Sequence, residues 1–281
     1  MKILKYKISK IFIYLFLSLL LIFTLFPLVY AFFGSFKSNL EFLAGGSNIF
    51  PEKWNIENYI FAWREANFAR YTFNSVFISV MTTVLTLIIA GMASYVLVHI
   101  AGKMKGFLMA LMGMVMFVPN AVLIYPIFKM CKMLGLMGSL WSMVLTQTAS
   151  VLPFTVILVT SYMSGVSKEI EEAAEIDGCG FFGIFLRIVM PLSKPILATS
   201  ALFAFKNAWN SYLLPLALSI SKPELRPLTV GVLALKDVGE GISSWNIMIA
   251  GSVISIVPMV ILYIFMNRYF IEGMTSGSVK G

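Results

Sequence analysis

The sequence predicts an all-α integral membrane fold of six spanning helices, and three observations carry that prediction. Hydrophobic residues make up 59% of the 281 and charged residues only 12%, with a mean hydropathy of +0.89. A soluble domain averages about 45–50% apolar and about 25% charged residues, so this chain cannot cover a surface that faces water. Soluble enzymes, disordered tails and disulfide-stapled secreted modules are thereby excluded. Second, charge-free stretches recur along the chain, each near the roughly 20 apolar residues that a spanning helix needs. Third, the formal charge of +8 sits before the first apolar run and in loops. It marks the flanks of spans rather than a nucleic-acid surface, which would cluster its bases on one face.

In chain order, the protein reads as a single transmembrane domain over 1–281, with spans at 11–33, 75–98, 107–128, 139–163, 197–220 and 246–267. Lys2, Lys5, Lys7 and Lys10 precede the first span. Its apolar run exceeds the roughly 7–15 residues of a signal-peptide core and no clean small-residue cleavage site follows, so it reads as retained. The four lysines place the N-terminus in the cytoplasm. Alternation then puts the 37–70 loop outside, the His99–Lys105 turn inside and the Lys129–Lys132 turn outside. The 164–194 loop falls inside, the 222–240 loop outside and the C-terminus inside.

The second span carries Gly91-Met-Ala-Ser94, small residues suited to close helix packing, and ends near His99, which reads as interfacial. Pro27, Pro119, Pro126, Pro153, Pro215 and Pro258 lie in or near spans, where membrane helices tolerate breaks if neighbours re-satisfy the freed backbone. The fifth span is interrupted by Lys206, with Asn207, Trp209 and Asn210 behind it. A charge in lipid is costly, so this polar middle must face protein or a water-filled cavity. Trp209 suits the C–H face of a sugar and the two amides suit hydroxyls; inter-helix hydrogen bonding is the other reading. Lys206 is compatible with an anionic ligand, with snorkelling to an interface, or with a partner's carboxylate.

Cys131 and Cys179 fall in loops on opposite sides of the membrane and so form neither a disulfide nor a metal site. The eighteen methionines read as gap fillers. No serine–histidine pair, aspartate dyad or G-x-S-x-G elbow is present, so no catalytic residue is assigned.

The one dense acidic run, Ser167 to Gly180, reads as a short helix between the fourth and fifth spans. Ser167 is placed to cap its N-terminus, Glu169 and Glu171 complement the dipole, and Gly178 supplies the left-handed stop. Ile170, Ala173, Ala174 and Asp177 share a face, with alanines small enough to admit a partner's groove and Glu172 placed to contact it. A solvated acidic helix without a partner is equally consistent with the spacing. Phe181 to Pro195 is amphipathic and reads as lying along the membrane surface.

Glu172-Ala173-Ala174, Asp177-Gly178, Ile188-Val-Met-Pro191-Leu and Pro195 together resemble the EAA loop of ABC-importer permeases. Met190 stands at the usual leucine and Cys179 where alanine is common. The likeness extends over nearly the whole chain, to the carbohydrate-importer subgroup that includes the maltose-transporter permease MalG. It takes in the segment Pro51 to Tyr59, Asn74-Ser75, Leu134-Gly135-Leu136, Leu152-Pro153-Phe154, Trp209-Asn210, Pro215-Leu216 and the ending from Arg268 to Gly281.

The resemblance implies a transport subunit, not an enzyme, that forms half of a translocation path in the cell's inner membrane. Its partners would be a second related permease, a cytoplasmic ATPase dimer and an extracytoplasmic solute-binding protein. Glu172, Ala173, Ala174, Asp177 and Gly178 would form the coupling helix, and the tail carrying Gly273, Gly277 and Lys280 would reach toward the ATPase interface. The chain has no G-x-x-x-x-G-K-[ST] loop, so ATP and magnesium would reside on the partner ATPase, with no cofactor here. Disaccharide, oligosaccharide, polyol and glycerol phosphate remain open as cargo. A secondary transporter acting without an ATPase is the alternative; it would be expected to show internal repeats and an ionisable relay.

Overall fold

The computed structural model describes residues 2–45, 48–65, 67–99, 103–237 and 244–276. Among them the regular structure is helical, with no strand. The first six helices are α1 (Lys2–Gly34), α2 (Asn39–Leu43), α3 (Glu57–Glu65), α4 (Phe68–His99), α5 (Lys103–Val115) and α6 (Asn120–Met133). There follow α7 (Leu140–Met163), α8 (Lys168–Ile176), α9 (Phe181–Ile184), α10 (Met190–Leu192), α11 (Lys194–Asn210), α12 (Leu213–Ser219), α13 (Leu228–Ala234) and α14 (Trp245–Ser276). Contacts divide the chain into two compact units, 1–68 with 231–257 and 69–230 with 258–281.

Among the described residues, four helical stretches are long and apolar enough to cross a membrane: Lys10–Gly34, Phe68–His99, Leu140–Met163 and Trp245–Phe265. Two bent pairs raise the number to six if each is one span. The expected third span, 107–128, is such a pair: α5 and α6 meet at 101°. Pro119 has no N–H to continue α5 and disfavours helical backbone at Val118, so Met116, Phe117 and Val118 close the helix with tighter three-residue bonds. The expected fifth span, 197–220, is also interrupted. Inside it the helix breaks at Ser211 and Tyr212 before α12, while the 77° bend between Phe181–Leu192 and α11, beside Pro195, lies just ahead of it.

In the first unit the chain leaving α1 is held by one buried amide. Asn58 Nδ2 donates to the carbonyls of Ser35 (2.8 Å) and Lys37 (2.9 Å), and its Oδ1 accepts from Asn246 Nδ2 (2.9 Å). Carbonyls at a helix C-terminus have no intrahelical partner, and Asn58 supplies it here. The Tyr59 hydroxyl lies 2.6 Å from Ser35 Oγ, and burial pushes that phenol's pKa up, the Ser35 hydrogen bond opposing it.

In the second unit α7 is the most buried of the span-length helices. Its hydroxyls fold back on their own helix, as with Thr148 to the Val144 carbonyl (2.8 Å) and Thr155 to the Val151 carbonyl (3.0 Å). Helix α4 carries a row of small side chains, Ser79, Thr82, Thr86, Ala90 and Ser94, all fully buried. Ser94 Oγ donates to the Val156 carbonyl of α7 at 3.2 Å. Apolar burial adds little between helices in lipid, so close backbone approach through small residues is what holds such a seam.

Candidate functional site

Two features in the second unit are candidates. The first is α8, a surface helix in the connection from α7 to α11. It ends as the spacing predicts: Gly178 has φ +85°, its N–H donates to the Glu175 carbonyl (3.0 Å) and the Cys179 N–H to the Ala174 carbonyl (2.9 Å). This is a Schellman closure, which only a residue tolerant of left-handed backbone makes cheaply. The start differs from expectation: Ser167 is extended but its side chain makes no capping bond, so the dipole there is met by Glu169 and Glu171.

The four residues expected to share an open face divide. Ala174 is buried in an apolar cluster with Tyr95, Val159, Ile184, Phe185 and Val189; its small size lets α8 settle onto α4 and α7. Ala173, Glu172, Asp177 and Gly178 are exposed, and so is Ile176, at 87%. Helix α8 is clamped at a second point. His99 Nε2, at the end of α4, lies 2.8 Å from Glu171 Oε2, and the Tyr95 ring packs against both His99 and Phe181, at 4.4 and 4.6 Å between centroids. Below it, Met190 packs beside Gly91, where a Cβ would come within 3.3 Å of the thioether sulfur.

The second feature is a cavity of about 890 Å³ between α7 and the two helix breaks, lined by Met116 and Val118 on one side and Asn210, Ser211 and Tyr212 on the other. Ligand pockets run to about 300–1,000 Å³. Backbone freed by a break at membrane depth is tolerated where it lines a cavity or is buried in protein, and the Ser211 carbonyl here accepts from Thr229 Oγ1 (2.9 Å). Lys206, Asn207, Asn210 and Gln147 line the cavity. A lysine at the centre of a span costs about 2.5–3.5 kcal/mol on insertion scales, and opening onto a cavity is what relieves that cost. Trp209 is placed elsewhere. It is 2% exposed and stacks on Phe205 at 5.7 Å and 13°, inside the helix packing and off the cavity wall.

Residues 98–275 match the model of the family described as binding-protein-dependent transport system inner membrane component. The probable ABC transporter permease YurM of Bacillus subtilis is 35% identical over 278 residues, covering 99% of this chain and 91% of that protein. The chain belongs to this family of importer permeases. The arabinooligosaccharides transport permease AraQ of the same species is 34% identical, with 98% of this chain and 96% of that one covered. The sulfoquinovosyl glycerol transport permease SmoH of Agrobacterium fabrum is 31% identical, with 94% and 92% covered. A chain in the crystal structure of a bacterial ABC transporter that imports the acidic polysaccharide alginate superposes with a TM-score of 0.80 over 94% of this chain and 97% of that one, at 24% identity. That likeness speaks to the fold.

Of this permease's predicted site residues, the structure brings Glu172, Ala173, Ala174, Asp177 and Gly178 onto one short element and separates Trp209 from Asn207 and Asn210. Gly273 falls within α14, while Gly277 and Lys280 lie outside the described residues. Cys131 is buried in α6 and not in a loop; it and Cys179 are free thiols. Sequence reasoning missed the His99–Glu171 pair because the partners are 72 positions apart; a lone histidine at a span end carried no signal of its partner. It also missed Gln147, one amide in a long apolar run.

Proposed function

We propose that this chain forms half of the translocation path of an ATP-driven importer for a sugar or related solute, a disaccharide or oligosaccharide above all. The observation that carries the proposal is α8: an acidic helix, closed by Gly178, that exposes Glu172, Ala173 and Ile176 between two membrane segments. In this reading α8 sits in a cleft of one subunit of a cytoplasmic ATPase dimer, which holds the ATP and magnesium. Glu172, Ala173 and Asp177 face that cleft, Gly178 sets the exit, and Ala174 anchors the helix to the bundle. A second, related permease supplies the other half of the path and an extracytoplasmic binding protein delivers the solute.

Asn207 and Asn210 would line the path, with Trp209 holding them from behind. Both termini lie in the cytoplasm of the inner-membrane protein, and the tail with Gly273, Gly277 and Lys280 reaches toward the ATPases. Closure of the ATPases moves α8 as a rigid lever and tips the spans between inward- and outward-facing forms. The sugar class follows from its likeness to the arabinooligosaccharides permease AraQ and the sulfoquinovosyl glycerol permease SmoH.

The test is purification of the tagged chain in mild detergent, with every co-purifying protein identified by mass spectrometry. An ATPase and a second multi-span permease are expected. A chain that purifies alone and transports solute without ATP would overturn the reading in favour of a secondary transporter.

A further inference from the structure

Lys206 makes no hydrogen bond or ion pair among the described residues. Among the described residues it is the one charged side chain on the cavity wall. No aspartate or glutamate occurs anywhere in α5, α6, α7, α11 or α12, so the fold around the cavity offers the ammonium no counter-ion. A cation at membrane depth is stabilised by an anion, and none of the described residues around the cavity supplies one.

A second observation says what kind of group arrives. Asn207 and Asn210 add amide donors to the same wall, without partners among the described residues. One cation and several neutral donors around a space of about 890 Å³ complement an oxyanion carried on a hydroxylated frame.

We propose that Lys206 is a specificity-determining residue of the path and that the solute is anionic: a sugar or polyol bearing a carboxylate, sulfonate or phosphate. The proposal rests on the importer reading above and narrows its substrate class. Lys206 meets the oxyanion, and Asn207 and Asn210 serve the hydroxyls.

The test uses the complete importer, captured through this chain and reconstituted in proteoliposomes with its binding protein. The probes are digalacturonate, sulfoquinovose, glycerol 3-phosphate and neutral maltotriose. At least one anionic probe is expected to be taken up in preference to maltotriose, and which one responds distinguishes carboxylate, sulfonate and phosphate. Lys206→Met should lower uptake of that probe about tenfold or more, the loss expected for one charge-assisted hydrogen bond, and Lys206→Arg should restore it.

Absence of a Lys206-dependent response to all three anions overturns the proposal while leaving an ATP-driven neutral-sugar importer in place. Loss of the companion permease from Lys206→Met, regained in Lys206→Arg, also overturns it, because the ammonium is then an interchain tie. Lys206-dependent anion uptake without ATP or a co-purifying ATPase supports the assignment and sinks the importer reading beneath it.

Discussion

His99, the last residue of α4, is joined to Glu171 of α8 by a contact of 2.8 Å between Nε2 and Oε2. Its other ring nitrogen, Nδ1, lies 2.7 Å from the Tyr95 carbonyl. A carbonyl only accepts, so Nδ1 donates. Nε2 faces the carboxylate, so the two contacts together fix the ring between its own helix and α8. This pair ties the end of a membrane helix to the helix proposed to carry the ATPase's motion.

Replacing His99 by Gln or Glu171 by Gln should loosen α8 to the same extent, and the double variant should add little. A partly exposed pair of this kind contributes about 1 kcal/mol, close to a fivefold change. Hydrogen–deuterium exchange over residues 168–177 of the reconstituted chain measures it. Additive effects of the two substitutions would show that they do not act through one contact.

Gly178 separates backbone strain from partner contact. Its φ of +85° penalises any Cβ, yet no atom of the described residues lies within 4 Å of where one would stand. Gly178→Ala and Gly178→Phe should therefore lower the chain's thermal stability about equally, by about 1 kcal/mol. ATP-driven uptake should fall much further for Phe, because only a docked partner meets the larger ring. Equal loss of uptake in both would place the defect in the turn alone.

Trp209→Ala should behave as a packing defect. Removing a fully buried aromatic ring typically costs about 3–5 kcal/mol, so the purified variant should unfold at lower temperature with solute preference unchanged. Asn210→Ala, on the cavity wall, should leave stability within about 0.5 kcal/mol and alter uptake. Thermal unfolding run beside uptake of two competing solutes distinguishes them; a stable Trp209→Ala with altered preference would put the ring on the path.

Asn74 and Ser75 hold the return of the chain from α12 toward α13. Asn74 Nδ2 donates to the Glu224 and Arg226 carbonyls at 2.9 and 3.0 Å, and Ser75 Oγ accepts from the Leu228 N–H at 2.7 Å. Asn74→Ala leaves both carbonyls without this donor, at a cost of about 1–3 kcal/mol for each that stays buried and unmet. Limited proteolysis should then cut the 220–228 segment faster. An unchanged cleavage rate would mean that the segment is held by other contacts.

The acidic helix and its glycine stop were legible because both are local. A glycine two positions beyond the last helical residue, and carboxylates in the first turn, act through backbone bonds a few residues apart. The partition of its face was not legible. Ala173 and Ala174 are the same residue type, and only the position of Tyr95 and Phe185 makes one an anchor and leaves the other on the surface. The bends at the third span and ahead of the fifth were half legible: Pro119 stands among the span prolines and Pro195 ends the surface segment, but the angles of 101° and 77° depend on what packs against each half.

By itself the sequence determined the membrane class, the identity of the strongly apolar helices and the short α8 with its Gly178 exit. These follow from transfer free energies and local backbone geometry, which need no knowledge of neighbours. The tertiary structure decided which polar groups are satisfied. It paired His99 with Glu171 across 72 positions, turned Trp209 into the packing, and left Lys206 on a cavity wall without a partner among the described residues. A hydrogen bond or an ion pair needs two groups within about 3 Å, and residues distant in sequence come that close only when the helices carrying them are packed.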